Sequence, residues 1–145
     1  MTDFSRQQAK ELKKLMARPP VLSRSKDANA ETFVLRYLFM EATLRAVGNY
    51  YRHRNRKPAA SAELSLNIDV VKRSLSHFDI AVHPERLVLL LDSKLVKRNA
   101  KSARQLRNGL VHRWDAGDAT EVKERRNQLF EAIQGLMEAV ARRAK

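Results

Sequence analysis

The chain has 145 residues, a length sufficient for one folded domain. Its composition, 43% hydrophobic and 31% charged, excludes a largely disordered chain. It contains no cysteine, which excludes disulfide bonds, thiolate metal sites and a cysteine nucleophile. The net charge of +13 favours polyanions, chiefly nucleic acid, as partners.

The composition also indicates the fold class. Glycine and proline number only four each, which leaves few tight turns and disfavours an all-β fold. Alanine, leucine, arginine and lysine are frequent, and these residues favour helix. We therefore predict an all-α protein, an up-and-down bundle of five to six helices.

The first predicted element is a short helix over residues 3–17, with Asp3 as its N-cap. Pro19 and Pro20 end this helix. Residues 18–28 then have the composition of a mobile basic linker or arm.

The chain thus divides into an N-terminal helix with a mobile basic arm, residues 1–28, and a helical bundle domain, residues 29–145. Residues 1–18 are polar and basic and do not resemble a signal peptide. No stretch approaches 18 consecutive apolar residues. We expect a cytoplasmic protein with no membrane partner.

A long helix is predicted over residues 29–55. Its apolar positions recur at a spacing of three to four and predict one buried stripe, composed of Phe33, Leu35, Leu38, Phe39, Ala42, Ala46 and Tyr50. Pro58 ends the basic segment that follows it.

Two further helices are predicted over residues 61–78 and 84–97. The first has an apolar face of Leu64, Ile68, Val71, Leu75 and Phe78. The second starts with Pro84 in its first turn and is expected to bury Leu87, Val88, Leu90, Leu91 and Leu95. The run LVLLL is also compatible with a buried strand, but its length and the absence of partner strands favour helix.

Two capping patterns follow. Ser102 and Gln105 form a capping-box pattern that opens a helix through about Trp114. Asp118 and Glu121 repeat the pattern and open the last helix, which extends to about Arg143. That helix has an apolar seam made by Val122, Leu129, Ile133, Leu136, Met137 and Val140.

The positive charge is unevenly distributed. Residues 1–57 carry 13 basic against 5 acidic side chains, residues 58–97 carry 5 against 5, and residues 98–145 carry 11 against 6. Residues 50–57 (YYRHRNRK) and the interval between Asp92 and Asp115 contain no acidic residue at all. This pattern favours a nucleic-acid surface, and the alternative is a merely solubilising charge that attracts any anion.

The segment Arg104–Trp114 (RQLRNGLVHRW) contains the most informative spacing, in which Arg107 and Asn108 precede His112. It resembles the Arg-x(4–6)-His motif of HEPN domains, where a polar residue often follows the arginine. The all-helical composition and the position of the motif before a long final helix fit the same resemblance. The likeness covers residues 29–143 and implies a HEPN-like four-helix core.

The resemblance implies metal-independent endoribonuclease activity, as in toxins or defence proteins. Arg107 would hold the scissile phosphate, His112 would act as general base or acid, and Asn108 would orient the phosphate or the histidine. The 2′-OH of RNA would be the nucleophile. Some HEPN toxins have a modifiable tyrosine two residues beyond the histidine, but Trp114 occupies that position here. Control by modification of that residue is therefore not expected.

In an ideal helix, residues five apart point about 140° away from each other. Either the helix opens after Asn108, or a second subunit completes the site. The resemblance implies the second answer, a homodimer with a shared basic cleft. Gly109 is unfavourable in a helix interior by about 1 kcal/mol relative to alanine, so we expect a bend there or a close backbone approach.

Further side chains combine positive charge with aromatic rings, which suits a single RNA strand. The predicted RNA-binding set is Lys101, Arg104, Arg113, Trp114, Arg98, Tyr51, Arg52, Arg54, Arg56 and Lys57. For Tyr50 and the arginines near it, the equal alternative is a core ring beside solvated helix-end charges. For Trp114, the equal alternative is an anchor that fixes the end of its helix. The histidines show no metal-ligand spacing, and no glycine-rich phosphate loop is present, so neither a metal nor a cofactor is expected.

Two other functions use the same residues. The protein could bind RNA through a HEPN-like domain without cleaving it. It could also be a subunit that mainly docks a protein partner such as a cognate antitoxin, which would require an exposed apolar patch.

Overall fold

The computed structural model describes residues 3–17, 28–52, 67–92 and 100–144, and every regular element in these ranges is an α-helix. The predicted all-α bundle is confirmed. Seven helices are found there because the predicted last helix is divided in two. They are α1 (Arg6–Met16), α2 (Ala28–Arg52), α3 (Ile68–His77), α4 (Pro84–Leu91), α5 (Ala103–Arg113), α6 (Ala116–Glu124) and α7 (Arg126–Arg143).

Helix α2 is the central element, because it packs against α1, α3, α5, α6 and α7. Its buried positions therefore surround most of the helix and include Phe33, Tyr37, Met40, Leu44 and Val47.

The single apolar stripe predicted for α2 is partly wrong. Phe33 is buried as expected, but Leu38 is 38% exposed and Ala42 is also exposed. Leu35, Phe39, Ala46 and Tyr50 are half-buried. A helix with five neighbours has no single core face, so a one-face pattern could not identify its buried side.

Helix α1 is part of the bundle. Leu12 is fully buried, and the Phe4 ring stacks on Phe78 with 4.4 Å between centroids. The predicted cap at Asp3 is wrong, because Ser5 caps the helix and forms a capping box with Gln8. Asp3 is instead paired with Arg143 at the end of α7.

Helices α3 and α4 complete this side of the core. Of the apolar face predicted for residues 61–78, Val71, Leu75 and Phe78 are buried and Ile68 is half-buried. The LVLLL run is helical, with Leu87, Leu89, Leu90 and Leu91 buried and Val88 half-buried. The predicted core residues Leu64 and Leu95 lie outside the described ranges.

The C-terminal segment differs from the expectation at its start. Asp115, not Asp118, caps α6 by accepting the backbone N–H of Asp118 at 3.0 Å. Asp118 lies inside α6 and is buried. Arg125 separates α6 from α7. Its guanidinium donates to the Lys101 carbonyl at 2.6 Å and to Glu121 at 2.5 Å. The predicted seam on α6 and α7 is buried apart from Met137, which is half-buried.

Among the described helices, none combines the length and apolar character that crossing a bilayer would require.

Candidate functional site

The RQLRNGLVHRW motif lies on α5, which begins at the predicted cap. The backbone N–H of Gln105 donates to the Ser102 hydroxyl at 3.2 Å, and the Ser102 N–H donates to the Gln105 side chain at 3.0 Å. The Ser102 hydroxyl in turn donates to the carbonyl of Asp92 at 2.6 Å. This capping box fixes the start of α5 against the end of α4, and it confirms the prediction for this helix.

Arg107 is held by a carboxylate from α2. Its Nε lies 2.8 Å from Oε1 of Glu41, and its Nη1 donates to the Asn108 side-chain oxygen at 3.0 Å. The Nε–H is not aligned with the carboxylate as a hydrogen bond requires, so the contact is an ion pair. The side chains are 21% and 8% exposed respectively, which makes this a largely desolvated pair.

The surroundings of Glu41 are positive. Arg45, one turn further along α2, lies 3.4 Å from the second carboxylate oxygen. Nη1 of Arg104, on α5, donates to the carbonyl of Leu91 at the end of α4 at 3.4 Å. Glu41, Arg104 and Arg107 all act electrostatically on Tyr37, so one buried carboxylate and three guanidiniums, including Arg45, lie on two packed helices and leave a positive cluster.

Tyr37 lies beneath this cluster. Its hydroxyl donates to the Leu90 carbonyl at 2.7 Å, which joins α2 to α4. Burial, and secondarily the negative charge of Glu41, raise the pKa of Tyr37 above its ordinary value. Tyr37 is therefore a neutral structural support at any physiological pH.

His112 is exposed in the last turn of α5. The helix is continuous from Ala103 to Arg113, so the proposed opening after Asn108 does not occur. His112 and Arg107 thus project from the helix about 140° apart. The structure therefore does not bring these two side chains together within one chain, and completion of the site by a second molecule stays a prediction.

Gly109 is required by a close approach, as expected from its position in the motif. An added Cβ would lie 1.8 Å from a carboxylate oxygen of Asp118 on α6. The other Asp118 oxygen lies 2.5 Å from Nζ of Lys101, and this hydrogen bond raises the pKa of that lysine. Lys101, predicted as an RNA contact, is therefore engaged in joining the start of α5 to α6.

Trp114 ends α5 in a left-handed conformation with φ of 48°, and its N–H donates to the Leu110 carbonyl at 3.0 Å. Its side chain is 39% exposed. Arg113 is exposed, with its Nε 3.7 Å from Asp115. The pKa of Asp115 is lowered, chiefly by the hydrogen bond from the backbone of Asp118 and to a smaller degree by Arg113.

The other predicted RNA contacts lie elsewhere. Tyr51 is half-buried, with its ring 5.2 Å from that of His77, and Arg52 is the exposed last residue of α2. Arg54, Arg56, Lys57 and Arg98 lie outside the described residues.

Glu41 is the site residue that sequence reasoning missed. It is an acidic residue in the middle of a mostly apolar helix, and that position was the only available signal. Within the described ranges, no group of three or more histidine, aspartate or glutamate side chains is arranged to hold a metal ion.

Comparisons with protein-family models, with curated proteins and with solved structures each found no match to this chain.

Proposed function

We propose that this protein is a homodimeric, metal-independent endoribonuclease of the HEPN kind, possessing a composite site at α5. The observation that carries the proposal is the arrangement of the motif. Arg107 is fixed by Glu41 and Asn108 on an unbroken helix, while His112 is exposed on another side of that helix.

The chemistry requires only RNA and these side chains. The 2′-oxygen attacks the adjacent phosphorus and forms a P–O2′ bond, while the P–O5′ bond breaks. One His112 imidazole accepts the 2′-OH proton, and a second group, the other protomer's His112 in a dimer, protonates the departing 5′-oxygen. The products are a 2′,3′-cyclic phosphate and a 5′-OH.

Arg107 would stabilise the charge that develops on the phosphoryl oxygens. Because Glu41 holds it, its guanidinium is positioned before substrate arrives, and less side-chain entropy is lost on binding. Arg45 pairs with Glu41 and compensates for its negative charge, while Arg104 adds a further positive charge beside Tyr37, so the surroundings remain attractive to phosphate.

Exposed apolar side chains support a dimer surface near the motif. Among the described residues, the large exposed hydrophobic side chains are Leu38 on α2, Val111 on α5 and Trp114 at its end. Helices α2 and α5 pack against each other. We propose that a second copy covers this region and contributes the second half of a shared basic cleft.

The Glu41 pair also favours a second candidate function, RNA binding without cleavage. A guanidinium already paired with a carboxylate binds a phosphate less strongly than a free one does. In that case, Arg107 would be a structural link between α2 and α5, and the positive surface would only hold RNA.

A cleavage assay separates the two candidates. Purified protein is incubated with single-stranded and structured RNA in EDTA, and the ends of the products are mapped. We expect cleavage to survive chelation and to fall about 10²–10⁴-fold in His112→Ala, because that variant loses the general acid–base group. An all-DNA version of the substrate, which has no 2′-OH, should remain intact.

His83→Ser is the matched control, because His83 is exposed and its ring caps α4, a role that serine retains. It should cleave at the wild-type rate. Salt-sensitive RNA binding without cleavage in either protein would favour the second candidate. Equal cleavage by wild type and His112→Ala would contradict the proposed role of the imidazole.

A further inference from the structure

The outward side of α1 is strongly basic. Helical spacing places Arg6, Lys10, Lys13 and Lys14 within an arc of about 100°, and all four are exposed. They extend over about 12 Å of the helix axis. No ion pair to any of the four occurs within the part of the chain that the structure describes.

The acidic residue of this helix lies at the edge of the basic arc and is engaged. Glu11 accepts a hydrogen bond from the Tyr50 hydroxyl at 2.6 Å and another from the Gln7 side chain at 3.2 Å. These bonds lower the pKa of Glu11. The carboxylate is thus oriented toward α2, and the four cations form a separate face.

A groove runs along one edge of this face. It has a volume of about 490 Å³, and it is lined by Phe4, Arg6, Ala9, Lys10 and Lys13. Phe4 and Ala9 provide apolar surface, while the three cations form the rim. An aromatic ring beside closely spaced cations is the combination that binds a single nucleic-acid strand, because bases contact the ring and phosphates contact the cations.

The apolar side of α1 is not available to a membrane. Leu12 is fully buried and one face of the Phe4 ring stacks on Phe78, so most of the hydrophobic side of α1 is used within the bundle. Only the remaining surface of the half-buried Phe4 ring lines the groove. An amphipathic helix that binds a bilayer must instead insert that face among the lipids. The surface therefore offers charge and a shallow groove, which fits a flexible polyanion.

This surface is distinct from the α5 site. Glu41, which contacts α5, and Tyr50, which contacts α1, are nine residues apart on α2. They therefore project from α2 about 180° apart. We propose that the basic face of α1 and its groove form a second binding site, which takes single-stranded nucleic acid.

The test measures binding of a fluorescein-labelled 12-nucleotide oligothymidylate by anisotropy, between 0.1 and 1 M salt. This DNA probe has no 2′-OH, so the result does not depend on whether the protein cleaves RNA. Each phosphate contact to a single strand contributes a slope of about 0.7 to the dependence of log K on log salt. Lys10→Ala/Lys13→Ala should therefore lower the slope by about 1.4. When salt is reduced from 1 M to 0.1 M, the affinity of this variant should then rise about 25-fold less than that of the wild type.

Lys72→Ala/Lys123→Ala is the matched control, because it removes the same charge from exposed positions on α3 and α6. Circular dichroism melts verify that both variants are folded. Equal losses in the two double variants would overturn the proposal, since binding would then follow net charge alone. So would unchanged DNA binding in Lys10→Ala/Lys13→Ala together with lost sedimentation on phosphatidylserine vesicles, which would assign the face to anionic membranes.

Discussion

Two residues other than glycine adopt left-handed backbone conformations in the described ranges, Asp79 after α3 and Trp114 after α5. Both end a helix. After α3, the Asp79 N–H donates to the Ser76 carbonyl and the Ile80 N–H to the Leu75 carbonyl, which is the Schellman arrangement. A side chain at such a position is unfavourable by about 1–2 kcal/mol relative to glycine in the folded state.

The conformation of Asp79 gives a stability prediction. We expect Asp79→Gly to be more stable than Asp79→Ala by about 1 kcal/mol, because only alanine retains the clash of a Cβ at positive φ. Urea unfolding followed by circular dichroism measures the difference. Equal stability of the two variants would indicate that residue 79 is not left-handed in solution.

The sequence could predict the local residues of the candidate site but not their partner from a distant part of the chain. Arg107, Asn108 and His112 could be selected as candidates from their spacing, because the motif is local. Glu41 was not, because it is distant in the chain from Arg107 and meets it only when α2 packs on α5. Pairwise contacts of this kind are set by tertiary packing, and no local pattern encodes them.

At the scale of elements, the start of α5 was predictable because a capping box is written within four residues. The boundary between α5 and α6 was harder to predict from the sequence. Asp115 and Asp118 are both good caps three residues apart, and the choice depends on Asp118 being buried against Gly109. The buried side of α2 was mispredicted for a similar reason, since its five neighbours lie elsewhere in the sequence.

The contact between α5 and α6 predicts an unusual response to a helix-favouring substitution. Gly109→Ala should destabilise the protein by about 1–3 kcal/mol through overpacking, although alanine favours helix by about 1 kcal/mol. Chemical denaturation gives the free energy of unfolding. The reason is that Asp118 is buried and joined to Lys101, so its carboxylate cannot easily move away.

A double-mutant cycle provides the control for this substitution. In an Asp118→Ala background, Gly109→Ala should become neutral or stabilising, because the carboxylate that it meets is gone. Gly117→Ala, at an exposed position on α6 where the added Cβ would lie 3.1 Å from a carboxylate oxygen of Asp115, should change stability by less than about 1 kcal/mol. Additive effects of the first two substitutions would contradict the close approach.

At the scale of the whole molecule, the proposed function requires two copies. We expect light scattering to give twice the mass of one chain, and Val111→Glu to shift the protein to monomer with loss of cleavage. A charge placed on a buried apolar interface is strongly unfavourable. Ser76→Glu, on the exposed surface of α3, should remain dimeric. A strict monomer with full nuclease activity would refute the shared cleft.

The central position of α2 has a consequence for substrate length. Because α1 and α5 lie on opposite sides of one 25-residue helix, the two proposed surfaces are joined by a rigid support. A strand that runs over the bundle from one surface to the other attaches at two points, and the second attachment occurs at high effective concentration. Short fragments that reach only one surface lose this gain. The products of a cut would therefore dissociate more readily than the intact strand.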